Sequence, residues 1–214
     1  MSQLLNILLE SDASPLADYK IIVAEQSNDG RRFNRGQLLN AAAQAAVRQK
    51  FDSLCFHDVD LLPGDVSLID GTEDPSKEKA VQDCLDLYER APRPRPVHIG
   101  WAWDRYSYPT YCGGALTVDA DDFARCNGFP NQMWGWGGED DVLAHRLAAI
   151  GHKPETFVRP TRRQGLCSIE DEFRFVGISV EERRNVNPRK KEAACRAKEA
   201  GGDDGLAQCK VELL

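Results

Sequence analysis

Two short segments carry the side chains with the most chemical potential. The first is Asp58-Val59-Asp60, which directly follows an apolar run ending at His57. In an extended chain, residues i and i+2 point to the same side, so two carboxylates would project together. Hard oxygen ligands suit Mg2+ or Mn2+, and a metal there could hold a diphosphate and act as a Lewis acid on a leaving group. Aspartates also stand often in solvated turns, and the pair alone leaves both readings open. The second segment runs from Asn127 to Asp141, where Trp134 and Trp136 alternate with Gly135, Gly137 and Gly138. Glycine permits unusual backbone conformations and close ligand approach, and indole faces pack well on the C–H faces of sugar rings. Glu139-Asp140-Asp141 follow at the expected start of a helix. There the helix dipole favours ionised carboxylates, as a general base requires. The same three residues could serve only as an acidic helix start, but that leaves the Trp–Gly alternation unexplained.

The elements that must position these residues are readable in outline. Residues 3–10 are helix-like. Tyr19-Lys20-Ile21-Ile22-Val23-Ala24 is β-branched and apolar, which predicts a strand. Asn34 can cap a helix from Arg35 to about Lys50, and Phe51–His57 reads as a second strand. This alternation predicts an α/β domain with a mostly parallel, Rossmann-like sheet, whose carboxyl edge would carry the Asp58 turn. Residues 64–96 are polar and end in Arg90-Ala91-Pro92-Arg93-Pro94-Arg95-Pro96. They read as an inserted surface loop around a short helix at about 79–90. Val97–Trp101 and Gly113–Val118 read as strands, and Asp140 to about Ile150 as a helix stopped by Gly151. The segment 181–200 is charged and helix-prone.

Composition narrows the classes further. A chain of 214 residues supports one domain, 1–214, with a real core. The net charge of −7 argues against general nucleic-acid binding, and no apolar run is long enough for a membrane helix. The seven cysteines form no CxxC pair, which disfavours a structural zinc site, and Cys55 reads as a buried small hydrophobe within its strand. His98, His145 and His152 have no ligand-like spacing and read as structural or exposed. His57 is placed to pack near the Asp58 turn. Arg162-Arg163, Arg183-Arg184 and Arg189-Lys190-Lys191 read as solvated basic faces.

Taken in order, the motifs resemble the β-1,4-galactosyltransferase family, glycosyltransferase family 7. The matching pieces are Arg32-Phe33-Asn34-Arg35-Gly36 with Leu38-Leu39-Asn40, Asp58 to Pro63, Trp101 to Arg105, Tyr111 to Gly114, Asn127 to Asp141, and Asp204-Gly205-Leu206. The resemblance implies a nucleotide-diphospho-sugar transferase fold of the GT-A type. It implies an inverting transfer of galactose, or a related hexose, from a UDP-sugar to a glycan hydroxyl, with a β-1,4 linkage and Mn2+ as cofactor. The implied donor contacts are Phe33, Arg35, Asp58, Val59, Arg105, Tyr111, Gly114, Trp136 and Glu139. The implied acceptor contacts are Trp136, Gly138, Asp140 and Asp141. Asp140 is the implied catalytic base, Asp60 the implied metal ligand, and a Golgi lumenal location the implied setting.

The chain also departs from the family pattern. The family's first nucleotide-binding strand, with its Pro-Phe/Tyr-Arg-x-Arg segment, has no counterpart, so the domain reads as N-terminally incomplete. No histidine follows His152, where the family supplies a metal ligand; Glu172 or a neighbouring carboxylate can take that place, or Glu170-Asp171-Glu172 is a solvated acidic turn. The alternative function is a non-catalytic sugar-binding remnant of the same family.

Overall fold

A computed structural model describes residues 19–63, 75–103, 108–135, 137–161, 166–168 and 204–210. The expected helix at 3–10, the charged segment 181–200 and the paired arginines at 162–163 lie outside the described residues. Helix α1 spans Arg35–Arg48. It starts where the sequence predicts, because the Asn34 side chain accepts a hydrogen bond from the Gln37 amide at 3.0 Å. Its alanine-rich interior favours helix, and Gly36, Asn40, Ala43 and Ala46 form the buried face.

Strand β1, Ser53–His57, follows. Leu54 and Phe56 point into the core while Cys55 points away and is exposed among the described residues. This corrects the reading of Cys55 as buried: an apolar run still alternates sides every residue, and only one side of β1 faces the main core. Strand β2 is Leu61–Pro63, and helix α2 is Pro75–Tyr88. Strand β3 spans Ala115–Asp119 and is buried along its whole length. Helix α3, Ala120–Arg125, is capped by the Asp119 carboxylate, which accepts from the Asp121 and Asp122 amides. Helix α4, Glu139–Ala149, ends at Ile150, and Gly151 at φ 105° turns the chain away as predicted. Strand β4 is Leu166–Ser168.

The helix–strand alternation belongs to the α/β class, as expected, but strand direction does not follow the simplest crossover reading. β1 pairs antiparallel with β3, Leu54 opposite Val118 and Phe56 opposite Leu116. β2 pairs antiparallel with β4. Among the described residues the parallel contact is a bridge between Val97 and Val158, with Val97 also joined to Thr117 of β3. The expected first strand, Tyr19–Ala24, makes no ladder there. Tyr19, Ile21 and Val23 are exposed, and Ile22 packs on the core. Strand propensity produces a ladder only where a partner edge is present. The expected strand Val97–Trp101 is reduced to the Val97 bridge. A 3-10 turn follows at Ile99–Ala102, where Gly100 packs so closely on Gly113 that a Cβ would lie 2.2 Å from its carbonyl oxygen.

Two apolar clusters flank β3. One gathers Phe56, Phe123 and Phe129, with ring centroids 4.7–5.8 Å apart, against Ala43, Leu143 and Leu147. The other gathers Leu61, Cys84, Leu87, Val97, Ile99 and Trp103. Cys84 and Leu87 belong to α2, so the stretch read as an inserted surface loop contributes a core helix. Its apolar residues Ala80, Cys84 and Leu87 recur at helical spacing and are buried.

Candidate active site

The Asp58 turn is built by the end of β1. The Asp58 amide donates to the Gly114 carbonyl at 2.9 Å, which extends the β1–β3 pairing by one residue. The Leu61 amide then donates to the Asp58 carbonyl at 3.2 Å and closes a turn into β2. The expected extended Asp58-Val59-Asp60 geometry is therefore replaced by a turn, because the chain must reverse there to enter β2. Val59 points outward, 65% exposed. Asp58 and Asp60 are half-buried.

Arg35, the first residue of α1, reaches across this turn. Its guanidinium donates to Asp58 Oδ1 at 2.6 Å and lies 3.5 Å from Glu139 Oε1. One cation therefore bridges the first motif to the second. Burial opposes the Arg35 charge, but the carboxylates of Asp58, Glu139 and Asp140 outweigh it and hold the guanidinium firmly protonated. Close packing brings α1 and α4 together: a Cβ on Gly36 would lie 2.6 Å from the Pro130 carbonyl oxygen and 3.5 Å from Glu139 Cβ.

The first turn of α4 holds Glu139, Asp140 and Asp141, with Gly138 preceding it in a left-handed conformation at φ 93°. The three carboxylates have different surroundings. Glu139 is buried and faces Arg35. Asp141 is exposed and accepts from the Tyr108 hydroxyl at 3.1 Å. Asp140 lies over Gly113, where a Cβ would stand 2.3 Å from its Oδ2. Burial raises the Asp140 carboxyl to about 7. The neighbouring Glu139 and Asp141 charges add to this, and Arg35 opposes it. At this position desolvation and like charge override the helix dipole, which favours the ionised form. Tyr108 and Tyr111 are raised well above the ordinary phenol range, by burial first and the Asp140 charge second, so both remain hydrogen-bond donors.

The loop that carries the tryptophans is fixed from several directions. The Gly135 amide donates to the Phe33 carbonyl at 2.7 Å, leaving the Phe33 side chain 58% exposed beside it. Asn40 donates to the Phe129 carbonyl at 2.7 Å and to Asn131 Oδ1 at 2.9 Å. The Asp204 carboxylate accepts from the Asn131 amide at 2.9 Å. Arg146 of α4 donates to the carbonyls of Asn127, Gly128 and Asp204. The Asp204-Gly205-Leu206 motif thus docks on the loop before α4, and Gly205 is obligatory there, since a Cβ would meet the Asn127 carbonyl oxygen at 2.1 Å.

Of the residues singled out from sequence, Arg35, Asp58, Glu139 and Asp140 form one electrostatic cluster. Tyr111 and Gly114 lie beside it: the Tyr111 hydroxyl approaches the Gly114 Cα face, and Gly114 holds φ 79°. Gly138 and Asp141 border the cluster, while Phe33 and Val59 present exposed side chains. Arg105, Trp136 and Glu172 lie outside the described residues. Sequence reasoning missed Gly113, Tyr108 and Tyr88. The first two stand in Tyr106-Ser107-Tyr108-Pro109-Thr110-Tyr111-Cys112-Gly113-Gly114, whose tyrosine density was a usable signal. It also missed Arg159, which lies 4.0 Å over the Trp101 ring and donates to the Pro109 and Tyr111 carbonyls. His98 and His152 are structural, as expected: His98 bonds the Gly113 carbonyl at 3.0 Å and His152 pairs with Asp122 at 2.9 Å.

Comparison with known proteins bears directly on this arrangement. A family profile described as the N-terminal region of glycosyl transferase group 7 matches residues 1–69. A second, described as the N-terminal domain of galactosyltransferase, matches residues 100–167. β-1,4-Galactosyltransferase 3 of Homo sapiens is 31% identical over 201 residues, which is 92% of this chain and 44% of that protein. The chain belongs to the β-1,4-galactosyltransferase family. β-1,4-Galactosyltransferase 1 of Mus musculus is likewise 31% identical, over 202 residues, 92% of this chain and 43% of that protein. The chain thus spans less than half the length of these relatives.

Solved structures agree with this membership. The catalytic domain of Drosophila β-1,4-galactosyltransferase 7 in complex with xylobiose matches with a TM-score of 0.62 at 26% identity, over 88% of this chain and 69% of that one. A mutant of the same enzyme, in complex with manganese, UDP-Gal and xylobiose, matches with a TM-score of 0.68 at 25% identity, over 99% of this chain and 77% of that one. The GT-A type fold expected of a β-1,4-galactosyltransferase is therefore the fold of this chain. The two profile matches contain both halves of the cluster, Arg35 and Asp58 in one, Glu139 and Asp140 in the other.

Proposed function

We propose that this chain transfers galactose, or a closely related hexose, from a UDP-sugar to a glycan hydroxyl with inversion, forming a β-1,4 linkage. The observation that carries the reading is the cluster in which Arg35 joins Asp58 to Glu139 beside a desolvated Asp140. Phe33, Arg35, Asp58 and Val59 are assigned to the nucleotide. Tyr111, Gly114 and Glu139 are assigned to the donor sugar, and Gly138, Asp140 and Asp141 to the acceptor. Arg105 is assigned to the donor and Trp136 to both substrates, on the family motif alone.

Asp140 is the general base. A carboxyl raised to about 7 is close to the pH at which it must take a proton, which is the condition for efficient general-base catalysis. It removes the proton of the acceptor hydroxyl as that oxygen bonds to the anomeric carbon. The bond from that carbon to the diphosphate oxygen breaks on the opposite face, and UDP departs with the electron pair. Tyr108 and Arg159 hold the loop that borders Asp141, so the acceptor side is preorganised.

Among the described residues no group of three or more metal-ligating side chains comes together. The donor chemistry nevertheless fits a hard cation, since such ions are held by one or two carboxylates together with substrate phosphates and water. Asp60 would hold Mn2+, with Glu172 as the second candidate ligand, and the bound ion would supply positive charge to the departing diphosphate. Among the described residues no helix is long and apolar enough to cross a membrane.

The test is a UDP-release assay over a panel of UDP-sugars and β-linked acceptors, with Mn2+ or with EDTA. Release that requires UDP-galactose, an acceptor and Mn2+ supports the reading. No release with any pair, in a protein that still binds sugar, would favour the sugar-binding remnant instead.

A further inference from the structure

His57 stands between the Asp58 turn and α2, and both its ring nitrogens are engaged. Nδ1 lies 2.7 Å from the Asp58 carbonyl oxygen and Nε2 lies 2.6 Å from the Tyr88 hydroxyl. A carbonyl oxygen only accepts, so Nδ1 carries the proton and Nε2 accepts from Tyr88. The two rings also stack, with centroids 5.7 Å apart and planes 28° from parallel. The Asp58 carbonyl therefore takes two donors, the His57 ring and the Leu61 amide. Those two bonds fix the turn that aims the Asp58 carboxylate at Arg35 and delivers Asp60 beside it.

Helix α2 supplies this support. Cys84 and Tyr88 are one helical turn apart, so the residue that seats the helix and the one that meets His57 share a face. The Cys84 side chain is fully buried in the cluster that packs under β3, so α2 is seated rather than free to swing. α2 also packs on β2 and on the Ile99–Ala102 turn.

We propose that Tyr88 and His57 are positioning residues for the donor site, with Tyr88 orienting the His57 ring so that it locks the Asp58-Val59-Asp60 turn in its nucleotide-binding geometry. The inference rests on the assignment of this turn to the nucleotide. The region expected to be a surface insertion thereby takes part in donor binding without touching the donor.

The experiment uses the full-length protein, with UDP titrated by calorimetry in the presence of Mn2+ and steady-state kinetics with UDP-galactose and xylobiose. Tyr88→Phe keeps the ring stack and removes one neutral hydrogen bond. It should weaken UDP binding and raise the donor KM by roughly 3- to 10-fold, with kcat and the acceptor KM moving by less than about twofold. His57→Asn keeps a donor near the Nδ1 position and loses Tyr88, so it should match Tyr88→Phe, while His57→Ala should be worse than either. An unchanged donor KM in Tyr88→Phe and His57→Ala would overturn the inference. So would a parallel change in kcat and both KM values together with a lowered melting temperature, since that is the mark of a merely structural contact. A wild-type protein that binds no UDP removes the nucleotide assignment and this inference with it. A wild type that binds UDP beside variants that bind it equally well removes the inference alone.

Discussion

Replacing Asp140 by Asn should make the protein more stable above neutral pH and nearly inactive, and the two effects share one cause. The Asp140 carboxyl is moved from an ordinary 3.8 to about 7 by burial and by Glu139. Below about pH 4 it is protonated in both the folded and the unfolded chain. Between about 4 and 7 the unfolded chain ionises and the folded one holds its proton, so the native state binds more protons and stability falls as pH rises. At about 1.4 kcal/mol for each tenfold change in a proton equilibrium, the contribution lost through that window is about 2–4 kcal/mol. Asparagine has no such titration, so the difference between the two melting curves should open from pH 4 to 8 in favour of the variant. For a chain of this size that difference is roughly 5–15 °C at pH 8.

The assay is thermal unfolding of both proteins across that pH range, without nucleotide and with chelator. Turnover is then measured across the same range with Mn2+. Wild-type kcat/KM should climb through about pH 7 as Asp140 ionises. Asp140→Asn should lose about 10²-fold or more in kcat. Glu139→Gln is the comparison: Glu139 is buried against Arg35, so its loss should fall on donor binding and, by removing a like charge beside Asp140, move the pH limb downward without abolishing it. Melting curves that stay parallel from pH 4 to 8 would refute the argument from desolvation. Wild-type turnover by Asp140→Asn at saturating acceptor would refute the assignment of the base.

Arg35→Gln should lower stability by about 3–5 kcal/mol by leaving Asp58 and Glu139 without their cation. It should also move the pH limb of any residual activity upward, because Arg35 opposes the rise at Asp140. Calorimetry and a pH–rate profile check both. Gly113→Ala places a Cβ 2.3 Å from Asp140 Oδ2, so kcat should fall by about 10²-fold through displacement of the base with the UDP titration little changed. Asp60→Ala should abolish the heat of Mn2+ binding, and equal heats from wild type and variant would remove Asp60 from the metal site.

The features legible in the sequence are those with a local physical signature. Asn34 caps α1, Gly151 ends α4, and the Trp–Gly segment leads into an acidic first turn, each decided within a few residues. Strand partners are not local. Tyr19–Ala24 has strand composition, yet nothing in it says whether an edge is available, and β1 pairs instead with β3 some 60 residues onward, Leu54 opposite Val118. The same limit hid the burial of α2, although the sequence predicts a short helix at about 79–90. Its charged residues made 64–96 look solvated, while Ala80, Cys84 and Leu87 face a core assembled from Leu61, Val97 and Ile99. Tyr88 was missed for that reason: its role depends on a contact with His57 that no spacing rule encodes.

The division of labour among the carboxylates follows from their distances to a single cation. Arg35 is drawn to Asp58 at 2.6 Å and to Glu139 at 3.5 Å. Both carboxylates therefore sit beside a fixed positive charge, and together they hold the Arg35 guanidinium protonated. Asp140 is next to Glu139 in sequence but turns toward Gly113 and Tyr111 instead. Burial acts on it most and the Glu139 like charge next, while Arg35 opposes them, and its carboxyl is raised to about 7. Asp141 reaches solvent and the Tyr108 hydroxyl. Three consecutive acidic residues on the first turn of a helix are thereby made chemically different by which direction each side chain leaves the helix. Gly113 is what makes that difference possible, because any larger residue would fill the space the Asp140 carboxylate occupies.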